Sequence, residues 1–333
     1  MSREKVIAVV VSCNRLKMLS ECIEALKAQS HKPDAILVIN NGSTDDTEIW
    51  LEKQEGIFFI SQENCGSGGG FNTGISWAFQ KGYSWIWCMD DDGYPHPDAL
   101  HHLLKNEGNE RALLNCAVIN KEDKKTFVWK TKGYQTIDDV KEEKIEGVCH
   151  PFNGTLIHRS IVERVGLPKK SLFVWGDETE YLFRITKANK FPTYTITSAL
   201  HYHPSCAFSY KSDWEYRSTW KMYFYLRNRF FIHKSKWNNT VLAFVNYVGF
   251  LFAFAAAILI FQRTDRVKKL SFMVWPAVDA IRNNFTTFPD DIVQKLGRKH
   301  NLISESVLFY MKDLWLSMFP ESDLVRHADP VKG

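Results

Sequence analysis

Three consecutive carboxylates, Asp90, Asp91 and Asp92, follow directly on an apolar run, Trp85-Ile-Trp-Cys-Met89, with no turn residue between them. Adjacent like charges at a strand end repel one another unless a cation sits among them. Hard divalent cations take oxygen ligands, commonly one or two carboxylates together with substrate phosphates. The first chemical expectation is therefore a metal-diphosphate complex at this strand end; the competing expectation is a solvated acidic turn ahead of Gly93 and Pro95. A second acidic pair, Asp177-Glu178, follows an apolar run that includes Trp175. A carboxylate against an apolar wall has a raised pKa and suits general-base work. The same pair also suits the first turn of a helix, where the macrodipole favours negative charge. His201 and His203 stand at alternate positions of a β-rich run. Only one of them is expected to face the site, where a neutral imidazole could complete a metal centre begun by carboxylates.

The elements that must position these residues alternate along the first 120 residues. Strand-like Val6–Val11, Ala35–Ile39, Ile57–Ile60 and Trp85–Met89 are separated by helical patterns around Leu16–Ala28, Asp45–Gln54 and Phe71–Gln80. Such alternation predicts a parallel sheet with crossover helices. Each strand ends in a polar junction: Ser12-Cys-Asn14-Arg15, Asn40-Asn41-Gly42-Ser43-Thr44-Asp45, the glycine-rich Asn64 to Gly74, and the acidic triplet. Ligands of open α/β sheets bind outside the carboxyl ends of the strands, so the four junctions define one crevice. Ser43 or Thr44 is expected to cap the second helix. The glycine-rich stretch fails the dinucleotide register, because Phe71 stands where a third glycine belongs, and no phosphate-binding G-x-x-x-x-G-K-[ST] occurs. Residues 121–147 are charge-rich and read as an exposed excursion without a chemical role.

Composition narrows the remaining classes. Lys and Arg number 42 against 38 Asp and Glu, too even a balance to point to nucleic acid. The seven cysteines lack C-x-x-C spacing and mostly sit in apolar stretches, as reduced thiols of a cytosolic protein do. Met1–Lys5 runs straight into the first strand pattern with no cleavable leader, so a cytoplasmic location is expected. Residues 238–262 carry no charge, and Val241–Phe261 is almost wholly apolar, a length that meets the criterion for a membrane span. Before it, aromatics (Phe208, Tyr210, Trp214, Trp220, Tyr225, Trp237) interleave with Lys211, Arg217, Lys221, Arg227, Arg229, Lys234 and Lys236; after it come Arg263, Arg266, Lys268 and Lys269. Aromatic rings beside basic residues mark a lipid interface, and an in-plane helix is expected.

In order along the chain, Val-Val-Val-Ser-Cys-Asn-Arg-Leu, Val-Ile-Asn-Asn-Gly-Ser-Thr-Asp, Asn-x-Gly-x-x-Gly-Gly-Phe-Asn-x-Gly, Met-Asp-Asp-Asp, Pro-Phe-Asn-Gly-Thr-Leu-Ile, Trp-Gly-Asp-Glu-x-Glu-Tyr and the later Arg227-Asn228 resemble family 2 glycosyltransferases. The match covers roughly two-thirds of the chain, from Val6 to about Asn228, and looks most like bacterial galactofuranosyl- and rhamnosyltransferases of surface polysaccharides. The resemblance implies an α/β GT-A fold with a Rossmann-like, mostly parallel sheet over residues 1–206, followed by a helical membrane-associating region over 207–333. It implies Asp177 as the inverting base, with Glu178 beside it as a catalytic candidate. Asp90, Asp92 and His201, with His203 the lesser alternative, would hold a divalent metal, Mn2+ or Mg2+. Asn14, Asn41, Asn64, Gly69, Asn72, Asp90 and Asp91 would meet the nucleotide-sugar donor, UDP-galactofuranose or dTDP-rhamnose, with Asn41 at the base. Asn40 departs from the Asp common in the family, and the processive Q-x-x-R-W is absent. The implied acceptor is a lipid-linked glycan at the cytoplasmic face of the inner membrane, with peripheral or monotopic attachment. An inactive sugar-binding homologue and a membrane assembly factor are the competing classes.

Overall fold

The structure is a computed structural model that describes residues 4–106, 111–205, 212–217 and 220–297. Cys206, Phe208, Tyr210, Lys211 and the stretch 298–333 lie outside the described residues. The chain divides into two compact units, one of residues up to 208 together with 231–244, the other of 209–230 and 245 onward.

The first unit is built on a mixed sheet. Its strands are β1 (Val6–Ser12), β2 (Ala35–Asn41), β3 (Ile57–Gln62), β4 (Trp85–Asp90), β5 (Tyr94–Pro95), β6 (Leu113–Asn120), β7 (Thr126–Thr131), β8 (Tyr134–Thr136), β9 (Lys144–Glu146), β10 (Asn153–His158) and β11 (Thr193–His203). The spatial order is β3-β2-β1-β4-β10-β6-β11-β5, with β7 on β6 and β9 on β11. The first four positions are parallel, β10 runs antiparallel to both neighbours, and β6 and β11 are parallel. Every residue of β1 and β2 is buried, as an apolar strand covered on both faces requires. Alternate side chains of β1 divide the core: Val6, Ala8 and Val10 pack on one face with Leu19, Ile23 and Leu26 of α1 (Leu16–Lys27), while Ile7, Val9 and Val11 pack on the other with Phe71, Ile75 and Ala78 of α3 (Gly66–Gln80).

Three expectations need correction. α3 begins at Gly66, five residues before the helical pattern announced it. Glycine is a poor helix former in isolation, but here its missing side chain lets the helix lie on the sheet: a Cβ on Gly70 would come within 2.5 Å of Val11 Cγ1, and one on Gly74 within 2.4 Å of Val9 Cγ1. Tertiary packing overrides propensity. The charge-rich 121–147 stretch is no bare excursion either. It supplies β7, β8 and β9, and buries Phe127 and Ile145. α2 (Thr47–Glu52) is not capped by Ser43 or Thr44; Asp45 Oδ1 instead accepts from the Thr47 backbone N–H at 3.2 Å and its hydroxyl at 2.5 Å. The remaining helices of this unit are α4 (Ala99–Lys105), α5 (Arg159–Val165) and the short α6 (Asp177–Phe183).

The second unit is helical. α7 (Lys221–Trp237) and α8 (Thr240–Phe261) each run through both units, and α9 (Arg266–Ile281) and α10 (Pro289–Gly297) follow. Its interior holds polar groups in satisfied arrangements. Tyr223 donates to Asp279 at 2.5 Å, Asn284 donates to the other Asp279 oxygen at 2.9 Å, and buried Lys269 meets Gln262 and Asp213, each at 2.9 Å. α8 is long and apolar enough to cross a membrane by length and composition, with mean hydropathy 2.3. Ala243, Tyr247, Phe254 and Ile258 form its buried stripe, while Val241, Val245, Phe252, Leu259 and Ile260 are exposed.

Candidate active site

The end of β4 delivers the acidic triplet, and its three members separate by partner. Asp91 points inward, 2% exposed, accepting from Ser12 Oγ at 2.7 Å and from Arg15 Nη1 at 2.9 Å. Burial pushes its pKa up to about 6 despite those partners. Asp92 accepts from the same Arg15 nitrogen at 2.9 Å, and His203 Nε2 lies 3.2 Å from its other oxygen. Burial works to raise the Asp92 pKa, but His203 and Arg15 outweigh it and hold the acid well below the usual carboxylate range. Asp90 is half-buried by surface and displaced well upward, first by desolvation and then by the charges of Asp92 and Asp91, with Arg15 opposing; Glu178 adds to the upward push.

The histidines differ from expectation. Side chains two apart on a strand share a face, and both rings meet the Asp92-Gly93 corner: His203 reaches Asp92, and a Cβ on Gly93 would come within 2.3 Å of His201 Nε2. The expectation that only one would face the site fails on this two-residue period. His201 is fully buried with both ring nitrogens unpartnered, and desolvation lowers its pKa to about 3. His203 Nδ1 lies 2.7 Å from the Pro204 carbonyl. A carbonyl only accepts, so Nδ1 carries a proton; Nε2 faces Asp92 as an N–H donor when the ring is charged and as a lone pair when it is neutral, and only the second form leaves room for a cation between them. Among the described residues no group of three His, Cys, Asp or Glu is preformed to hold a metal.

Asp177 opens α6 and is completely buried. Ser67 Oγ, from the first turn of α3, donates to Oδ2 at 2.9 Å, whereas Oδ1 has no partner. Desolvation, then the neighbouring Glu178 charge, pushes the Asp177 pKa well up. The approach is made possible by glycines: Gly68 leaves room for Asp177, whose Cβ would lie 3.1 Å from a side chain there, and Gly66, at φ +72°, would drive a Cβ into the Phe173 carbonyl. Glu178 is half-buried and accepts from the Gly176 N–H at 3.2 Å.

The expected donor contacts hold the junctions together. Asn41 donates to the Gly66 carbonyl at 3.0 Å and accepts from Gln62 at 2.8 Å. Asn14, at φ +56°, accepts from the Thr44 N–H at 2.6 Å. Asn64 accepts from the Gly66 N–H at 3.0 Å, Asn72 donates to the Pro168 carbonyl at 2.7 Å, and Gly69 makes room for Cys65, whose Sγ a Cβ would approach to 2.3 Å. Sequence reasoning missed Arg15 as the partner of two acids and Glu180 altogether, although both sit inside motifs quoted above.

A mixed α/β sheet with acids at the carboxyl end of its central strand is shared with the GT-A transferases. Residues 1–349 of S. aureus TarS superpose with TM-score 0.51 at 12% identity over 84% of this chain and 82% of that one; its complex with UDP-GlcNAc gives 0.52 at 14% identity over 84% and 81%. Residues 7–166 match the model of Glycosyl transferase family 2. The galactofuranosyltransferase GlfT1 of Mycobacterium tuberculosis is 28% identical over 216 residues, 60% of this chain and 70% of its own length; that of Mycolicibacterium smegmatis is 29% identical over 60% and 71%. The chain carries a family 2 glycosyltransferase domain and is a glycosyltransferase.

Proposed function

We propose that the protein is an inverting, metal-dependent transferase that moves galactofuranose from a nucleotide diphosphate to a lipid-linked glycan during synthesis of a surface polysaccharide. The observation that supports it most is that an acidic triplet ends the central parallel strand β4 while a fully buried acid, Asp177, opens α6 with Ser67 of the glycine-rich junction as its partner. The names of the sequence relatives favour galactofuranose, hence UDP-galactofuranose, over dTDP-rhamnose. The donor set fits a divalent cation: Asp92 Oδ1 and His203 Nε2 face each other at 3.2 Å, and in the neutral ring that nitrogen offers a lone pair beside the carboxylate. Asp90 and Asp92 with His203 would hold it, His201 being the second candidate, and a cation of this type takes its remaining ligands from substrate phosphates and water. When bound it supplies Lewis-acid stabilisation of the departing diphosphate. Asp177 accepts the proton of the acceptor hydroxyl at Oδ1 while Ser67 holds Oδ2. Burial without a cation alongside keeps this acid basic enough for the task.

A screen of nucleotide sugars for metal-dependent hydrolysis tests donor and activity together. Fastest hydrolysis is expected with UDP-galactofuranose; undiminished turnover in chelator would remove the metal from the mechanism.

The exposed apolar residues of α8, among them Val241, Val245, Phe252 and Leu259, together with basic residues on both flanks, support attachment to the cytoplasmic membrane face, which we read as in-plane because both flanks are basic. Single cysteines near Lys236 and near Lys268 should both be protected from an impermeant label in intact cells; labelling of one alone means that the chain crosses.

A further inference from the structure

Glu180 lies three residues beyond Asp177, is completely buried, and has both oxygens engaged. Lys169 Nζ stands 2.8 Å from Oε1, Ser235 Oγ donates to the same oxygen at 2.7 Å, and Arg184 Nη2 stands 3.0 Å from Oε2. Burial would raise its pKa, but Arg184 and Lys169 outweigh that and keep the group ionised. Arg184 continues the connection by donating to the carbonyls of Val165 at 2.8 Å and Leu167 at 2.9 Å, and Asn72 of α3 donates to the carbonyl of Pro168. One carboxylate therefore joins α6, the turn that follows it, the segment leading to Lys169, and the end of α7.

That end of α7 belongs to the catalytic unit. Just beyond Ser235 come Lys236, whose ammonium lies over the Phe183 ring of α6 at 5.9 Å, and then exposed Trp237 and Val241. α6 cannot orient Asp177 by itself. It has seven residues, too few for a helix to be stable on its own ladder. The chain enters it through Phe173 at φ +66°, Trp175 at +56° and Gly176 at +129°, and the first two are costly for residues with side chains. Its first turn closes through the Glu180 N–H to the Gly176 carbonyl at 2.8 Å, so the residue that anchors the turn by its side chain also completes it by its backbone.

We propose that Glu180 is a positioning residue that couples the end of α7 to the turn carrying Asp177, so that the rate of transfer, and not donor binding, depends on how the α7–α8 corner is held. The proposal rests on Asp177 being the base. Misplacement of a reacting group by about 1 Å costs roughly 10²-fold in rate, which sets the scale for Glu180→Gln; Ser235→Ala removes one of three partners and should cost about 3–10-fold.

The test measures kcat and KM for metal-dependent hydrolysis of whichever donor the wild type turns over fastest, UDP affinity by calorimetry, and thermal midpoint, for Glu180→Gln, Ser235→Ala, Ser235→Thr and Asp177→Asn. The expected result is a lower kcat in Ser235→Ala with UDP affinity and midpoint unchanged, rescue by Ser235→Thr, and a larger loss in Glu180→Gln. Wild-type kcat in Ser235→Ala overturns the coupling even where Glu180→Gln does not fold. A rate loss matched by equal losses in UDP affinity and midpoint overturns it too, because a merely structural contact does that. Retained turnover in Asp177→Asn would instead remove the base assignment, a distinct failure.

Discussion

Asp92 and Asp177, one from each acidic stretch of the first unit, are the same chemical group kept in opposite states. At the end of β4, Asp92 has a guanidinium and an imidazole against it and is held strongly ionised. At the start of α6, Asp177 is more completely shut off from solvent, has a hydroxyl for a partner and a like charge next door, and its affinity for a proton rises. Burial acts in the same direction on both acids. What separates Asp92 from Asp177 is its smaller burial and the cationic partners within reach, the kind of difference that lets two carboxylates of one protein hold opposite protonation preferences at one pH.

The largest effect expected from breaking this contrast is at Asp177. Asp177→Asn should keep UDP affinity and lose about 10²–10⁴-fold in kcat, read by steady-state donor hydrolysis; a larger loss in Glu178→Gln would exchange the roles of the two acids. Next is Asp92→Ala, which should abolish Mn2+-dependent UDP binding in calorimetry while circular dichroism stays native. Within that pair of experiments, His203→Ala should weaken Mn2+ binding by about 10–100-fold, and a greater loss in His201→Ala would give the metal position to the inner ring.

The smallest effect concerns His150, where burial acts with neither a cation nor an acid to modify it and lowers the pKa to about 4. The folded ring stays neutral where the unfolded one, with a pKa near 6.5, takes up a proton. Stability from this group is complete above pH 6.5 and is lost as pH falls from there toward 4. His150→Phe, which keeps an aromatic ring against Trp129, should flatten that part of the pH dependence in urea melts; an unchanged slope would mean that the ring is solvated.

Much of this geometry was legible in the sequence. The acids at the end of β4 and the four polar junctions follow from apolar runs that stop at charged or glycine-rich residues. What escaped did so for stated physical reasons. The start of α3 was hidden because its glycines read as a loop until the sheet they lie against is known. Asn41 and Asn72 have the residue type of ligand contacts, yet their hydrogen bonds to Gly66 and Pro168 hold loop backbone, a use that spacing cannot reveal. β8 and β9 have three residues each, too few for alternation to register, and β7 is flanked by charge. Glu180 looked like one more helix acid because all three of its partners come from other turns, one of them 55 residues away.

The close seating of α3 on β1 makes that helix a lever. Ser67 and Gly74 are seven residues apart, about 10 Å along the axis, and they are joined by one rigid rod. β1 is hydrogen-bonded on both sides and cannot retreat, so a methyl group placed at Gly74 must lift the rod instead. Alanine there would raise intrinsic helicity, by about 1 kcal/mol, while carrying the Ser67 hydroxyl off the Asp177 carboxylate two turns away. A substitution that any propensity scale scores as an improvement would thus strip the proposed base of its hydroxyl partner without touching it, and would be tolerated only alongside a smaller residue at Val9.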